Sequence, residues 1–414
     1  GFFGATQATL VMMAVPVAQH GVGMGVLTLA IGAQAAGMLL FGESGEALGP
    51  SETVLLFAVT AGLAGAVDPA WTFETGGDVY SSPCVGEIFA HGVYGTVYVG
   101  SQDKNVYAIN GDTGEQIWNY TTGGIVYSSP KLYQGTSMSP ALYVGSYDGK
   151  VYCLNASTDA GYGGNLIWSF QTEPGLQTGS PQIFSSPAVN EDAELVYIGA
   201  ADGILRALDA ESGSLKWEFA TGADVRSSPA FDKQQNAVFF GSYDHNVYAL
   251  NASSGRLLWN YTTGGVVFSS PAVSETDGTV FVGSNDKTLY ALNGESGAVK
   301  WNATKPPYNV MYSSPAVAVT AVGSGASKEL VYIGSNDHNV YAFDATDGSL
   351  VWKFNTGNFV ESSPAVSGVG LDNNAQVVYV GSDDGYLYVL DASRGVLLWT
   401  MQTGLDVASS PAVW

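Results

Sequence analysis

The strongest constraint on this chain is a triplet that returns eight times. Ser-Ser-Pro begins at Ser81, Ser128, Ser185, Ser227, Ser269, Ser313, Ser362 and Ser409, at spacings of 47, 57, 42, 42, 44, 49 and 47 residues. Between the triplets stand seven apolar runs that close on a glycine: Gly100, Gly145, Gly199, Gly241, Gly283, Gly334 and Gly381. Three residues after each comes an aspartate: Asp103, Asp148, Asp202, Asp244, Asp286, Asp337 and Asp384. An alternating run such as Val247-Tyr248-Ala249-Leu250-Asn251, a second turn and a tryptophan complete the unit. Self-similarity at periods of roughly 20–50 residues marks solenoids and propellers, whose units bury apolar surface only against a neighbour.

Each unit reads as four short strands. One starts at the triplet, a second ends at the glycine, a third carries the alternating run and a fourth carries the tryptophan. Alternation, β-branched and aromatic enrichment, and Gly/Asp/Asn punctuation are hairpin signals. Four-stranded units with two apolar faces close into a ring, so the fold expected is an all-β propeller. The repeats open on an outer tryptophan strand near Trp71 and end on an inner strand at Ser409, with seven whole units between. Seven complete blades are therefore expected, plus a split eighth whose middle strands are missing. That shortage predicts a protein that continues past Trp414, with a seven-bladed ring and a spare strand as the alternative.

The segment Ala249-Leu250-Asn251-Ala252-Ser253-Ser254-Gly255-Arg256-Leu257-Leu258-Trp259 resembles the tryptophan-docking motif of PQQ-like (pyrroloquinoline quinone) repeat propellers. Segments 108–118, 207–217, 291–301 and 342–352 match with small substitutions. The copy ending at Trp399 has Val389 and Arg394 in place of the usual Ala and Thr, and the copy ending at Trp168 is lengthened and opens on Cys153. The resemblance covers residues 69–414, about five-sixths of the chain. It implies a structural, blade-docking role for Trp71, Trp118, Trp168, Trp217, Trp259, Trp301, Trp352 and Trp399. It also implies similarity to the propeller lipoprotein of the outer-membrane β-barrel assembly machinery, although no lipobox cysteine is present.

Residues 1–68 do not belong to the repeats. They contain no Lys, Arg, Trp or Tyr and hold two apolar stretches, 22–41 and 53–67. The first is long enough to span a bilayer as a helix, and the second has the length of a signal-peptide core. The expectation is a helical membrane tether or signal, followed by a propeller domain over 69–414 in an extracytoplasmic setting: periplasmic, secreted or membrane-anchored. A formal charge of −23, with the first basic residue at Lys104, argues against a nucleic-acid partner because no basic stripe exists to neutralise phosphates. Two cysteines, Cys84 and Cys153, exclude a disulfide framework or a cysteine-based metal cluster.

Candidate sites follow from setting the repeats against one another. Positions constant in every repeat serve the blade template, so function falls to positions that vary. The residue before each triplet varies: Tyr80, Tyr127, Phe184, Arg226, Phe268, Tyr312, Glu361 and Ala408. Placed at the start of the innermost strand, it should form a channel-rim contact surface for a protein or peptide partner. The repeated aspartates read as turn caps and not as calcium ligands, since each turn offers a single carboxylate. His245 and His338 share their turn position with Lys104 and Lys287, which reads as exposure. Of five Asn-x-Ser/Thr sequons, the turn sites Asn155 and Asn251 are the candidate glycosylation points. Insertions at 159–165, 172–181, 305–308 and 321–328 mark loops that could decorate a face.

Quinone chemistry is the sharp alternative. The resemblance implies that such enzymes add neighbouring bridged cysteines, calcium ligands and an aspartate base. Cys84 and Cys153 are 69 residues apart, and the repeats are short. No catalytic residue, cofactor or metal is expected, and pyrroloquinoline quinone with calcium enters only under that alternative. The expected function is a non-catalytic interaction scaffold, with a ligand-sensing ectodomain of a larger receptor as a further alternative.

Overall fold

The computed structural model describes residues 71–86, 95–134, 140–159, 161–177, 179–303, 312–322, 326–367, 376–403 and 406–413, together with strand backbone at 7–15, 26–34 and 55–56. Seven four-stranded antiparallel sheets follow one another along the chain. The fourth of them shows the pattern: Ala230–Asp232 pairs with Ala237–Gly241, which pairs with Asn246–Asn251, which pairs with Leu257–Thr262. The second strand is buried along its whole length in six of the seven sheets, and in the sixth from Leu330 to Ser335, as a strand sandwiched between two neighbouring sheets must be. Its long apolar side chains alternate between the two flanking interfaces, so each apolar cluster is built from two consecutive blades.

Two serines of each triplet do different work. The first accepts a hydrogen bond from the repeated glycine of its own blade, as Gly241 N to Ser227 Oγ at 3.1 Å. The second links blades. Ser82 N donates to Ser129 Oγ, and the same bond runs through Ser186, Ser228, Ser270, Ser314, Ser363 and Ser410. Ser410 N then donates to Ser82 Oγ at 3.2 Å across 328 residues of sequence. Eight serines thus form a closed belt, and the ring has eight blade positions. At the eighth, Val413 packs on the cluster of the last complete blade and Ala412 on that of the first. Trp71–Thr72 supplies its outer strand. Seven complete blades and a split eighth are what the repeat arithmetic required.

The repeated glycine is forced by the next blade. A Cβ on Gly241 would stand 2.8 Å from Val267 Cβ and 2.9 Å from Val267 O. Gly100, Gly199 and Gly381 meet Val126, Val225 and Val407 in the same way. A second glycine seats the tryptophan: Gly255, at φ +69°, lies with its missing Cβ 2.7 Å from the Trp217 ring of the preceding blade. The indole N–H then donates to a carbonyl beside that glycine, Trp217 to Ala252 O at 3.0 Å and Trp259 to Gly294 O at 2.6 Å. Trp71, Trp118, Trp168, Trp301 and Trp352 dock alike. Among the described residues Trp399 makes no such bond, and its buried N–H has no partner. In every blade a one-residue bulge precedes the tryptophan, as between Ala249 and Leu250, and it kinks the outer edge strand away from regular pairing.

The helical expectation for the N-terminal segment is corrected. Val26–Gln34, inside the stretch 22–41, is a strand paired antiparallel with Gln7–Val15. Leu55–Leu56, inside 53–67, pairs with Trp71–Thr72. The remainder of both stretches lies outside the described residues, as does the insertion at 305–308. Among the described residues no helix is long and apolar enough to cross a membrane. The insertion at 321–328 is a hairpin extension, in which Ala316–Val322 runs against Ala326–Ser335.

Candidate functional site: the mouth of the ring

Each inner strand starts on the ring face that also carries the turn between strands two and three. The repeated aspartates build that face. Asp244 Oδ1 accepts the Asn246 N–H at 3.0 Å, closing its own turn, while Oδ2 accepts Gly222 N at 2.8 Å from the preceding blade and the Tyr248 hydroxyl at 2.6 Å. Asp103, Asp148 and Asp384 repeat all three contacts. They are turn caps that also clamp adjacent blades. His245 and His338 sit at φ 75° and 70°, as do Lys104 and Lys287 at 75° and 73°. That shared left-handed position, which other blades fill with glycine, explains the interchange.

The residues before the triplets come together as an uneven ring. Tyr80 and Tyr127 have ring centroids 5.0 Å apart, and Tyr127 reaches Phe184 at 5.9 Å. Phe268 and Tyr312 meet edge-on at 5.4 Å. Between these arcs the Arg226 guanidinium lies 4.2 Å from the Phe184 ring centre and 4.7 Å from that of Tyr243, and donates to Asp224 Oδ2 at 3.0 Å. Glu361 stands apart, accepting from Asn336 Nδ2 at 3.3 Å.

Two further rows complete the mouth. One lies two residues after the repeated glycine: Gln102, Tyr147, Tyr243, Asn336 and Asp383. The other lies three before the triplet: Asp78, Asp224, Phe359 and Asp406. Backbone bonds pair the rows, as Tyr243 N to Asp224 O and Asp383 N to Phe359 O, both 2.9 Å. Tyr147 packs between Tyr127, tilted at 4.7 Å, and Phe184, edge-on at 4.5 Å. Both rows vary among repeats as the rim position does, so the same repeat-against-repeat comparison could have found them.

The mouth is therefore two-sided. One arc is aromatic around a single half-buried guanidinium. The other is acidic: burial, then the charges of Glu361 and Asp406, push the Asp383 carboxyl up to about 7. Burial also raises Glu361 and Asp406 above the usual carboxylate range. Tyr80, between the two arcs, is raised to about 12 by burial, by Tyr127 and by nearby carboxylates. None of the described ion pairs involves Glu361, Asp383 or Asp406. Among the described residues no three His, Cys, Asp or Glu side chains gather as metal ligands.

Other candidates fall elsewhere. Cys153 is buried within its blade, its thiol raised to about 12 by burial, and Cys84 lies on an inner strand; both are free thiols. Asn155 and Asn251 are half-buried turn residues whose Oδ1 atoms cap Ser157 N and Ser254 N. The sequon asparagines Asn119, Asn260 and Asn302 are instead exposed, each immediately after a docking tryptophan.

Similar ring folds are known. BamB from Moraxella catarrhalis superposes with a TM-score of 0.56 at 17% identity, over 81% of this chain and 88% of that one. A quinohemoprotein alcohol dehydrogenase from Comamonas testosteroni gives 0.60 at 18%, over 81% and 68%. The computationally designed protein Ika8 gives 0.57 at 18%, over 80% and 90%. Identities this low establish the fold alone. No curated protein matches the sequence. The profile of a repeat family does match, at residues 61–231, 201–352 and 319–413, and so spans nearly all of the propeller. The chain belongs to the PQQ-like repeat family described as outer membrane protein assembly factor BamB.

Proposed function

We propose that this protein is a non-catalytic scaffold which holds a protein or peptide partner against one face of its propeller outside the cytoplasm. The observation that carries the reading is the charge of the mouth. Pyrroloquinoline quinone is a planar tricarboxylate, so a site for it needs cations or convergent donors. The one cation among the described residues of the three mouth rows, Arg226, is already placed against Asp224 and two rings, and the facing side carries Glu361, Asp383 and Asp406. These residues do not fit the quinone. The template, by contrast, keeps every blade rigid while leaving mouth side chains free to differ, which is what recognition of one partner needs. The extracytoplasmic setting rests on the family's description, an outer membrane assembly factor.

The test is titration of the purified propeller with pyrroloquinoline quinone and calcium, followed by tryptophan fluorescence and by dye-coupled alcohol or sugar oxidation. The scaffold reading expects no saturable binding up to high micromolar quinone and no turnover. One-to-one binding with turnover would overturn it.

A further inference from the structure

Around the rim, the eight positions before the triplets run Tyr80, Tyr127, Phe184, Arg226, Phe268, Tyr312, Glu361 and Ala408, in the order fixed by the closed serine belt. Seven carry large side chains and one is alanine. Ala408 stands between Glu361 and Tyr80, so the rim has a notch at the eighth position. An aromatic ring, Tyr80, 40% exposed, bounds one side. The carboxylate of Glu361 bounds the other, with Asp383 and the exposed Asp406 beside it.

The same ring shows what such a surroundings holds. On its far side an arginine is sandwiched between two aromatic rings and paired with a carboxylate. The notch repeats that chemistry, aromatic face and carboxylates, without a cation of its own. We propose that the notch receives a lysine or arginine side chain from a basic segment of the partner protein, its charge set against Glu361, Asp383 and Asp406 and its methylene stem against Tyr80. The occupant follows from charge complementarity: a cation meets three carboxylates and a ring face there, whereas an anionic or purely apolar segment would leave them desolvated and unpaired. This inference rests on the scaffold reading and names the chemistry of its partner.

The experiment is calorimetric titration of the whole chain with a blocked octapeptide of alternating lysine and glycine, against the same peptide with glutamine for lysine. Binding is expected for the lysine peptide alone. Ala408→Tyr fills the notch with the residue that three other repeats carry there, so it suits the template and changes no charge; a tenfold or greater loss of affinity is expected. Glu361→Gln with Asp383→Asn should lose as much. Glu295→Gln, one charge removed from an exposed turn on the opposite face, should stay within twofold. Equal binding of both peptides, full affinity in Ala408→Tyr, or an equal loss in Glu295→Gln would each overturn the notch. Quinone turnover is read in a separate assay, so a failed notch leaves the scaffold reading standing.

Discussion

Replacing docking tryptophans by phenylalanine should not cost the same in every blade. Trp259 is 7% exposed, and its N–H is the described donor to Gly294 O. The equivalent carbonyl under Trp217, Ala252 O, also accepts the Tyr197 hydroxyl at 3.1 Å. In the Trp259 blade that tyrosine is Phe239, which has no hydroxyl. Trp259→Phe therefore orphans a buried carbonyl, worth about 1–3 kcal/mol. The lost ring area adds roughly 1 kcal/mol at ~25 cal/mol per Å². Trp217→Phe leaves the carbonyl its tyrosine and should lose only about 1–1.5 kcal/mol. Trp399→Phe removes a buried N–H that has no acceptor, so its loss should be smallest.

Native-state hydrogen exchange suits the comparison, because a ring of repeats need not unfold in one step. The amides of Asn246–Asn251 and Thr288–Asn293 report the Trp259 interface, and those of Ile204–Asp209 report Trp217. The ranking expected is Trp259 above Trp217 above Trp399. Adding Phe239→Tyr to Trp259→Phe should recover about 1 kcal/mol by restoring a donor. Equal losses at Trp259 and Trp217, or no recovery from the added tyrosine, would refute the claim that carbonyl satisfaction sets the difference.

Gly241→Ala should destabilise by about 1–3 kcal/mol in urea melts through overpacking, with only partial relief from Val267→Ala because the Val267 carbonyl stays 2.9 Å from the new methyl. Asp383→Asn should raise the melting temperature at pH 8 and leave it unchanged near pH 4. The carboxyl is held near 7 in the fold and 3.8 outside it, so the fold gains from the protonated form below 4 and loses that gain as pH rises toward 7. The lysine peptide should bind more tightly at pH 8 than at pH 6 for the same reason, a difference that Asp383→Asn abolishes. Arg226→Leu should cost about 3–5 kcal/mol by leaving the fully buried Asp224 without its cation, and Asp224→Leu in the same chain should restore most of the melting temperature.

The ring was legible because each blade solves the same local problem with the same residues. Glycine at 241 is visible as a constant and the position of Val267 as always apolar, and the serines are constant too, although their reason is not: a triplet cannot say that Ser227 turns inward to Gly241 while Ser228 reaches the next blade. The apolar length of 22–41 suits a membrane helix and a strand equally, and length without a clear period cannot choose between them. Reading Asp244 as a turn cap was right but incomplete, since its second oxygen clamps Gly222 and that contact spans two repeats. The sequon at Asn251 marks a turn, and the sequence does not show that its own carboxamide oxygen holds that turn.

The mouth side chains that matter share one property with the rim residues first singled out: none takes part in the serine belt, the glycine–valine contact or the indole seat. Changing one of them leaves those three ties intact, so the mouth can diverge wherever its own pairs, such as Arg226 with Asp224, change together. Yet the belt fixes where each divergent side chain stands, because successive serines are one hydrogen bond apart. Under the proposed function, recognition is written by eight choices at fixed spacing, some of them coupled through contacts such as Tyr80 with Tyr127. An alanine between a tyrosine and a glutamate carries as much of that information as the aromatic arc across from it.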